Sequence, residues 1–177
     1  MIDKKVLIFD RDGTINHKTS DYYVYQRDKF KIYNDAREFI SWAHGKGFKI
    51  AIATNQRGIS KGLFTLENVM ELHEDFCKEV NIKSSEIPIF VCQHEIDTCG
   101  CRKPKPGLIF SILEYYSVLP SEVLFIGNSR SDFYAAKLAQ VDFVQILRDK
   151  EDFFLASDGE VISVNFLTDL CEEFGHQ

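Results

Sequence analysis

Short runs of β-branched and aromatic residues alternate along this chain with stretches of helical spacing, and that alternation leaves few architectures open. The runs are Lys5–Phe9 (KVLIF), Lys49–Ala53 (KIAIA), Pro88–Val91 (PIFV), Val123–Ile126 (VLFI) and Asp142–Ile146 (DFVQI). Their length and composition predict buried strands. Between them, Asp35–His44 carries Phe39, Ile40 and Ala43 at helical spacing and stops at Gly45-Lys46-Gly47. Thr65 is placed to cap a second helix with the stripe Leu66, Val69, Met70, Leu72, Phe76. Pro106 suits the start of a third, Gly107–Tyr116, and Ser131–Ala139 reads as a fourth. The tail predicts one short strand near Val161 and a final helix, Asn165–Phe174.

Such alternation predicts right-handed βαβ units and a parallel sheet covered on both faces. The expected fold class is α/β: a three-layer, Rossmann-like parallel sheet, in one domain spanning residues 1–177. Ligands of such sheets bind beyond the carboxyl ends of the strands, so the residues after each run are where chemistry is expected.

Composition narrows the partners. With 177 residues, 45% hydrophobic, 15 Phe and 7 Tyr, the chain can build its own core. Lys plus Arg (21) against Asp plus Glu (27) gives a net charge of −6. That balance opposes broad nucleic-acid or membrane-surface binding, which needs a basic footprint. No apolar run approaches the ~18 residues of a membrane span, and Val6–Phe9 is too short for a secretory core. A soluble, cytoplasmic monomer is expected, without nucleic-acid or membrane partners.

The first run ends in Asp10-Arg11-Asp12-Gly13-Thr14. Two carboxylates at i and i+2 can face one side, one as nucleophile and the other as proton donor and acceptor. A D-G turn with ordinary capping acids would look similar, but two acids against a buried strand carry a desolvation cost. The second run ends in Thr54-Asn55-Gln56, followed by Arg57-Gly58-Ile59-Ser60-Lys61-Gly62. A hydroxyl and backbone N–H groups there can hold phosphate oxygens; taken alone the segment reads better as a polar Gly-rich loop, and its order after the first run is what raises the phosphate reading.

After the third run comes Cys92-Gln93-His94-Glu95-Ile96-Asp97-Thr98-Cys99-Gly100-Cys101, a C-x-H-x4-C-x-C pattern. Three thiolates and one imidazole satisfy a tetrahedral zinc ion and leave no open position, so Cys92, His94, Cys99 and Cys101 predict a structural Zn²⁺ loop over residues 92–103. The other two of the five cysteines, Cys77 and Cys171, lie in helical patterns and read as core. The loop runs into Arg102-Lys103-Pro104-Lys105-Pro106. Lys103 can offset charge on a phosphate and on a nucleophilic carboxylate, and Arg102 can grip another oxygen. The fourth run ends in Gly127-Asn128-Ser129-Arg130-Ser131-Asp132. Asp132 can complete a Mg²⁺ site with Asp10 and Asp12, stand behind it, or cap a helix. Asn128 offers a carbonyl oxygen without charge.

With four strand ends in this order, the chain resembles the haloacid dehalogenase superfamily of aspartate-nucleophile phosphatases from Lys5 to about Ile146. The segments DRDGTIN, TNQRGISKGLFT and CRKPKPG are similar to those of the heptose bisphosphate phosphatase and histidinol-phosphatase group. The resemblance implies a Mg²⁺-dependent phosphatase of a small phosphorylated sugar. D-glycero-D-manno-heptose 1,7-bisphosphate, losing its C7 phosphate, is the expected substrate, and histidinol phosphate the alternative. A nucleic-acid 3′-phosphatase and a weakly active phosphosugar-binding homologue rank below these. It also implies roles. Asp10 would be the nucleophile, Asp12 the acid and base, Thr54 the phosphate clamp and Lys103 the charge-offsetting cation. Arg11, Asn55, Gln56, Arg57 and Arg102 would recognise substrate, and Asp10, Asp12, Asn128 and Asp132 would hold Mg²⁺. The stretch between Asp10 and Thr54 is largely one helix, which leaves no room for a large cap domain. Asn16–Val24 and the zinc loop should wall an open site. The resembled families usually carry Asp where this chain has Asn128, so weaker Mg²⁺ binding is expected.

Overall fold

The computed structural model describes residues 4–20, 23–149 and 161–174. Six strands form one all-parallel sheet: β1 (Val6–Phe9), β2 (Lys49–Asn55), β3 (Ile89–Cys92), β4 (Val123–Gly127), β5 (Asp142–Ile146) and β6 (Ile162–Val164). Their order across the sheet is β3-β2-β1-β4-β5-β6. Crossovers are made by the helices α1 (Asn34–Gly45), α2 (Leu66–Glu79), α3 (Gly107–Tyr116) and α4 (Arg130–Ala139), and α5 (Leu170–Phe174) follows β6.

The strands are apolar on both faces because both faces are covered. Alternation along β1 sorts the two cores. Leu7 and Phe9 join Phe39 and Ile40 of α1, Leu72 and Phe76 of α2, and Leu170 and Phe174 of α5. Val6 and Ile8 point the other way, to Leu108, Ile109 and Ile112 of α3 and Ala135, Ala136 and Ala139 of α4. The alanines let α4 lie close to the sheet. The expected three-layer sandwich is what forms.

The carboxyl ends of β2 and β3 lie further along the chain than expected, and both differences matter. β2 runs two residues past Ala53, so Thr54 and Asn55 pair with Val91 and Cys92 inside the sheet. Cys92 thus closes β3 itself. The final helix is shorter than predicted. Leu167–Asp169 form a 3₁₀ turn in which the Asp169 carboxylate accepts the Phe166 N–H at 3.0 Å, and only Leu170–Phe174 continue as α-helix.

Strand order reverses direction between β1 and β4, which are neighbours in space but not in sequence. Their connections leave to opposite sides and open a crevice at their carboxyl ends. Asp10 and Asn128 are the first residues past those two strands.

Candidate active site

Lys103 is the hub of the crevice. Its ammonium is 3% exposed as a residue and lies 2.6 Å from Asp10 Oδ1 and 2.6 Å from Asp132 Oδ1, and it donates to the Ala53 carbonyl at 2.7 Å. Burial works against its charge, but the two carboxylates outweigh that and hold the lysine above its ordinary value. Burial, reinforced by the Asp132 charge and opposed by Lys103, pushes the Asp10 carboxyl up to about 7. One cation thus serves two buried acids, and Asp132 has further donors.

Those donors come from the helix that Asp132 begins. Ser129 caps α4 and forms a box with Asp132, whose Oδ2 accepts the Ser129 N–H at 3.0 Å and its hydroxyl at 2.6 Å. Both Asp132 oxygens are therefore engaged, one by the cap and one by Lys103. Gly127 permits this: a Cβ there would lie 2.7 Å from the Asp132 Cβ.

Asn55 fixes the lysine's backbone. Its side chain donates to the Lys103 carbonyl at 2.9 Å and accepts the Lys103 N–H at 3.1 Å. This follows from strand alternation, because Asn55 shares the face of Ala51 and Ala53 that looks toward α3. The expectation that Asn55 recognises substrate is met instead by a clamp on the loop.

Asp12 sits across from Asp10 in a cradle of donors. Arg11 Nη2 reaches Asp12 Oδ1 at 2.9 Å and the Val24 carbonyl at 2.6 Å. Asn16 Nδ2 reaches the same Asp12 oxygen at 2.9 Å. Gln56 Nε2 donates to Asp12 Oδ2 at 2.8 Å and to Thr54 Oγ1 at 2.8 Å. Arg11, Asn16, Thr54 and Gln56 are all buried. Arg11 and Gln56 were expected on the substrate side; they lie behind Asp12, turned inward by the tight Arg11–Asn16 turn and by strand alternation at Gln56. Asn16 is expected only at the start of the wall; its bond to Asp12 is not, although it closes the DRDGTIN segment four positions after that residue.

Gly13 brings the β1 and β4 ends together. At φ +89° it adopts a backbone few other residues tolerate, and a Cβ there would lie 2.7 Å from Asn128 Nδ2. Asp10 and Asp12 after β1 and Asn128 after β4 thus lie at the carboxyl ends of two neighbouring strands. Two carboxylates and one carbonyl fit a hard divalent cation such as Mg²⁺.

The cysteine loop forms a second cluster. The ligand atoms of Cys92, His94, Cys99 and Cys101 lie within 4.8 Å of one another. Individual separations are 3.7 Å (Cys92–Cys99), 3.4 Å (Cys99–Cys101) and 3.3 Å (His94 Nδ1–Cys101). A tetrahedral ion with sulfur at ~2.3 Å and nitrogen at ~2.0 Å needs edges of about 3.5–3.8 Å, so the donor set fits. Burial opposes ionisation of Cys99, yet hydrogen bonds led by the Arg102 backbone hold it down at about 6; burial pushes Cys101 up to about 12. Cys77 is buried as expected, while Cys171 is half-buried at the edge of its core.

The cluster is tied to its surroundings on both sides. Glu95 pairs with Arg57 of the loop after β2. At the other end, a Cβ on Gly107 would lie 2.5 Å from the Gly100 carbonyl, so only glycine lets α3 begin against the loop. Phe64 stacks on Tyr25 (5.0 Å) and against Tyr23 (5.8 Å), which joins the loop after β2 to the segment after β1 as one wall. Of the expected wall Asn16–Val24, residues 21 and 22 lie outside the described ones.

The family model for polynucleotide kinase 3 phosphatase matches residues 5–157. The chain belongs to this family of haloacid dehalogenase-like phosphatases. Among relatives of this phosphatase, the D-glycero-beta-D-manno-heptose-1,7-bisphosphate 7-phosphatase of Neisseria meningitidis is 35% identical over 133 residues, covering 74% of this chain and 71% of its own. A probable D-glycero-D-manno-heptose-1,7-bisphosphate 7-phosphatase of Thermoplasma volcanium is 38% identical over 144 residues, covering 78% and 96%. The phosphatase also shares its fold with the crystal structure of a D,D-heptose 1,7-bisphosphate phosphatase from B. bronchiseptica complexed with magnesium and phosphate. The TM-score is 0.85 at 24% identity, over 97% of this chain and 98% of that one.

Proposed function

We propose that this phosphatase removes one phosphate from a small phosphorylated sugar, D-glycero-D-manno-heptose 1,7-bisphosphate, through a covalent intermediate on Asp10. The observation that carries the reading is the buried Lys103 ammonium held at 2.6 Å from both Asp10 and Asp132, with Asp12 across the crevice. A cation fixed beside a carboxylate that must approach a phosphate dianion serves phosphoryl transfer. It serves no evident structural need, since two buried acids could have been apolar.

Asp10 uses the oxygen that Lys103 leaves free to attack phosphorus in line with the departing sugar oxygen. Asp12 gives that oxygen a proton, and then takes one from the water that hydrolyses the aspartyl-phosphate. Thr54 donates its hydroxyl to a phosphoryl oxygen. Asp10, Asp12 and Asn128 would hold Mg²⁺, which supplies further positive charge against the phosphate. Asp132 acts through Lys103. Arg57 and Arg102, on the two loops above the crevice, are the proposed contacts to the sugar's far phosphate. Zn²⁺ in the Cys92–His94–Cys99–Cys101 cluster would hold the loop that delivers Lys103.

The names and coverage of the relatives support the sugar substrate, as does a net charge of −6. The family model's name favours a second reading, a 3′-phosphatase of nucleic acid. Phosphate release from heptose 1,7-bisphosphate, histidinol phosphate and a 3′-phosphorylated oligonucleotide, assayed together, separates the readings. The bisphosphate is expected to exceed the others by at least tenfold in kcat/KM; dominance of either competitor would reject the assignment. The enzyme is proposed to be a cytoplasmic, single-domain monomer. Among the described residues no helix is long and apolar enough to cross a membrane.

The metals give two tests. Mg²⁺ needs Asp10 as carboxylate, and with its carboxyl near 7 the proton competes. Mg²⁺ affinity should fall about tenfold per pH unit below 7 and level off above it, read by calorimetric titration. Asn128→Asp adds a charged ligand and should lower the Mg²⁺ requirement about tenfold; superimposable curves would remove Asn128 from the site. For the loop, elemental analysis should find one zinc per chain. Cys99→Ser should release it and lower Tm by several degrees, and an unchanged metal content would discard the zinc assignment.

A further inference from the structure

We propose that Gln56 is a positioning residue that couples the phosphate clamp to the acid–base group, by fixing the hydroxyl proton of Thr54 and the second oxygen of Asp12 with one amide nitrogen. The inference rests on the phosphatase reading above and deepens it. Gln56 is 1% exposed, and its Nε2 lies 2.8 Å from Thr54 Oγ1 and 2.8 Å from Asp12 Oδ2. An amide NH₂ has two hydrogens and is only a donor, so both contacts have a settled direction. Thr54 Oγ1 must accept. Its own hydrogen is turned away from Gln56, leaving the hydroxyl poised to donate to an incoming phosphoryl oxygen. Asp12 Oδ2 must accept as well, while Oδ1 is held by Arg11 and Asn16. The acid–base carboxylate is therefore pinned at both ends before substrate arrives.

The backbone makes the arrangement rigid. The Gln56 N–H donates to the Cys92 carbonyl at 2.8 Å, which ties the same residue to the strand that opens the cysteine loop. Gln56 follows Thr54 by two positions on an extended chain, so both side chains take the same side of the sheet. The side chain is buried behind the two groups it serves and does not face substrate.

Gln56→Met keeps length and apolar volume but removes the donor; Gln56→Ala removes both. The readout is kcat/KM, which reports steps through formation of the aspartyl-phosphate. It is measured on the sugar phosphate and on an aryl phosphate whose nitrophenolate leaves without a proton. Loss of Asp12 positioning should fall mainly on the sugar phosphate, because only there is protonation of the leaving oxygen required. Both variants are expected to lose about tenfold or more on the sugar phosphate beyond their loss on the aryl phosphate. Inhibition by inorganic phosphate should weaken severalfold as the Thr54 hydroxyl loses its orientation. Aryl-phosphate turnover by the variants also certifies that they fold. Equal losses on both substrates with unchanged phosphate inhibition would overturn the role of Gln56 and leave the phosphatase reading standing. A wild-type enzyme inactive on both would overturn the reading and the proposal together.

Discussion

Lys103→Met is expected to be the most destabilising single change at the site, by about 3–5 kcal/mol at pH 8, and to abolish turnover. The lysine is buried and neutralises two acids at once, Asp10 and Asp132. Removing it leaves two carboxylates facing each other out of water, and the cost is that of the stranded charges rather than of the lost contacts. The sign of the pH dependence follows. Folded Asp10 already holds its proton up to about 7, far above an unfolded aspartate near 3.8. Without the ammonium it holds it still higher, so the penalty grows as pH rises above about 7 and levels off below that. Adding Asp10→Asn to Lys103→Met should restore much of the stability and none of the activity. Urea denaturation of the single and double variants at pH 6 and pH 8 measures both effects. A loss below 1 kcal/mol, independent of pH, would mean that Lys103 is not the charge balance of this crevice.

Asp10→Asn is the second. Here stability should hold or rise slightly, because a buried carboxyl that resists ionisation is replaced by a neutral group whose carbonyl oxygen still accepts from Lys103. Activity should fall by a factor on the order of 10⁵, as it does when a covalent nucleophile is lost. The contrast between a folded protein and a dead enzyme separates this residue from Lys103, where both properties fall together. Steady-state turnover and thermal melting on one preparation suffice, and residual activity within a hundredfold of wild type would remove Asp10 from the nucleophilic role.

Most of the fold was legible because buried parallel strands are short, apolar on both faces and separated by helical spacing. Glycine and proline marked where each helix stopped or started. The acids proposed for catalysis stood out for a related reason: a carboxylate directly after a buried strand is too costly to be incidental. What the chain did not disclose was direction. Asn55 and Gln56 follow Thr54 in one polar segment, and nothing local says that β2 continues to Asn55. That continuation turns Asn55 toward Lys103, while Gln56 turns toward Asp12. Arg11 looked like a substrate contact, yet its guanidinium is drawn inward by Asp12 and the Val24 carbonyl. Asn16 and Glu95 matter through partners elsewhere in the chain, Asp12 and Arg57, so their roles depend on loop paths that spacing alone does not fix. The cysteine loop was the opposite case, since metal-ligand spacing states its own geometry.

The most direct test follows the phosphoryl group itself. Wild-type enzyme mixed with heptose 1,7-bisphosphate labelled at the C7 phosphate, and quenched in acid within milliseconds, should carry acid-stable, hydroxylamine-labile label. That label should map to the peptide containing Asp10 and be absent from Asp10→Asn. Label on any other residue, or full turnover by Asp10→Asn, would contradict catalysis through Asp10.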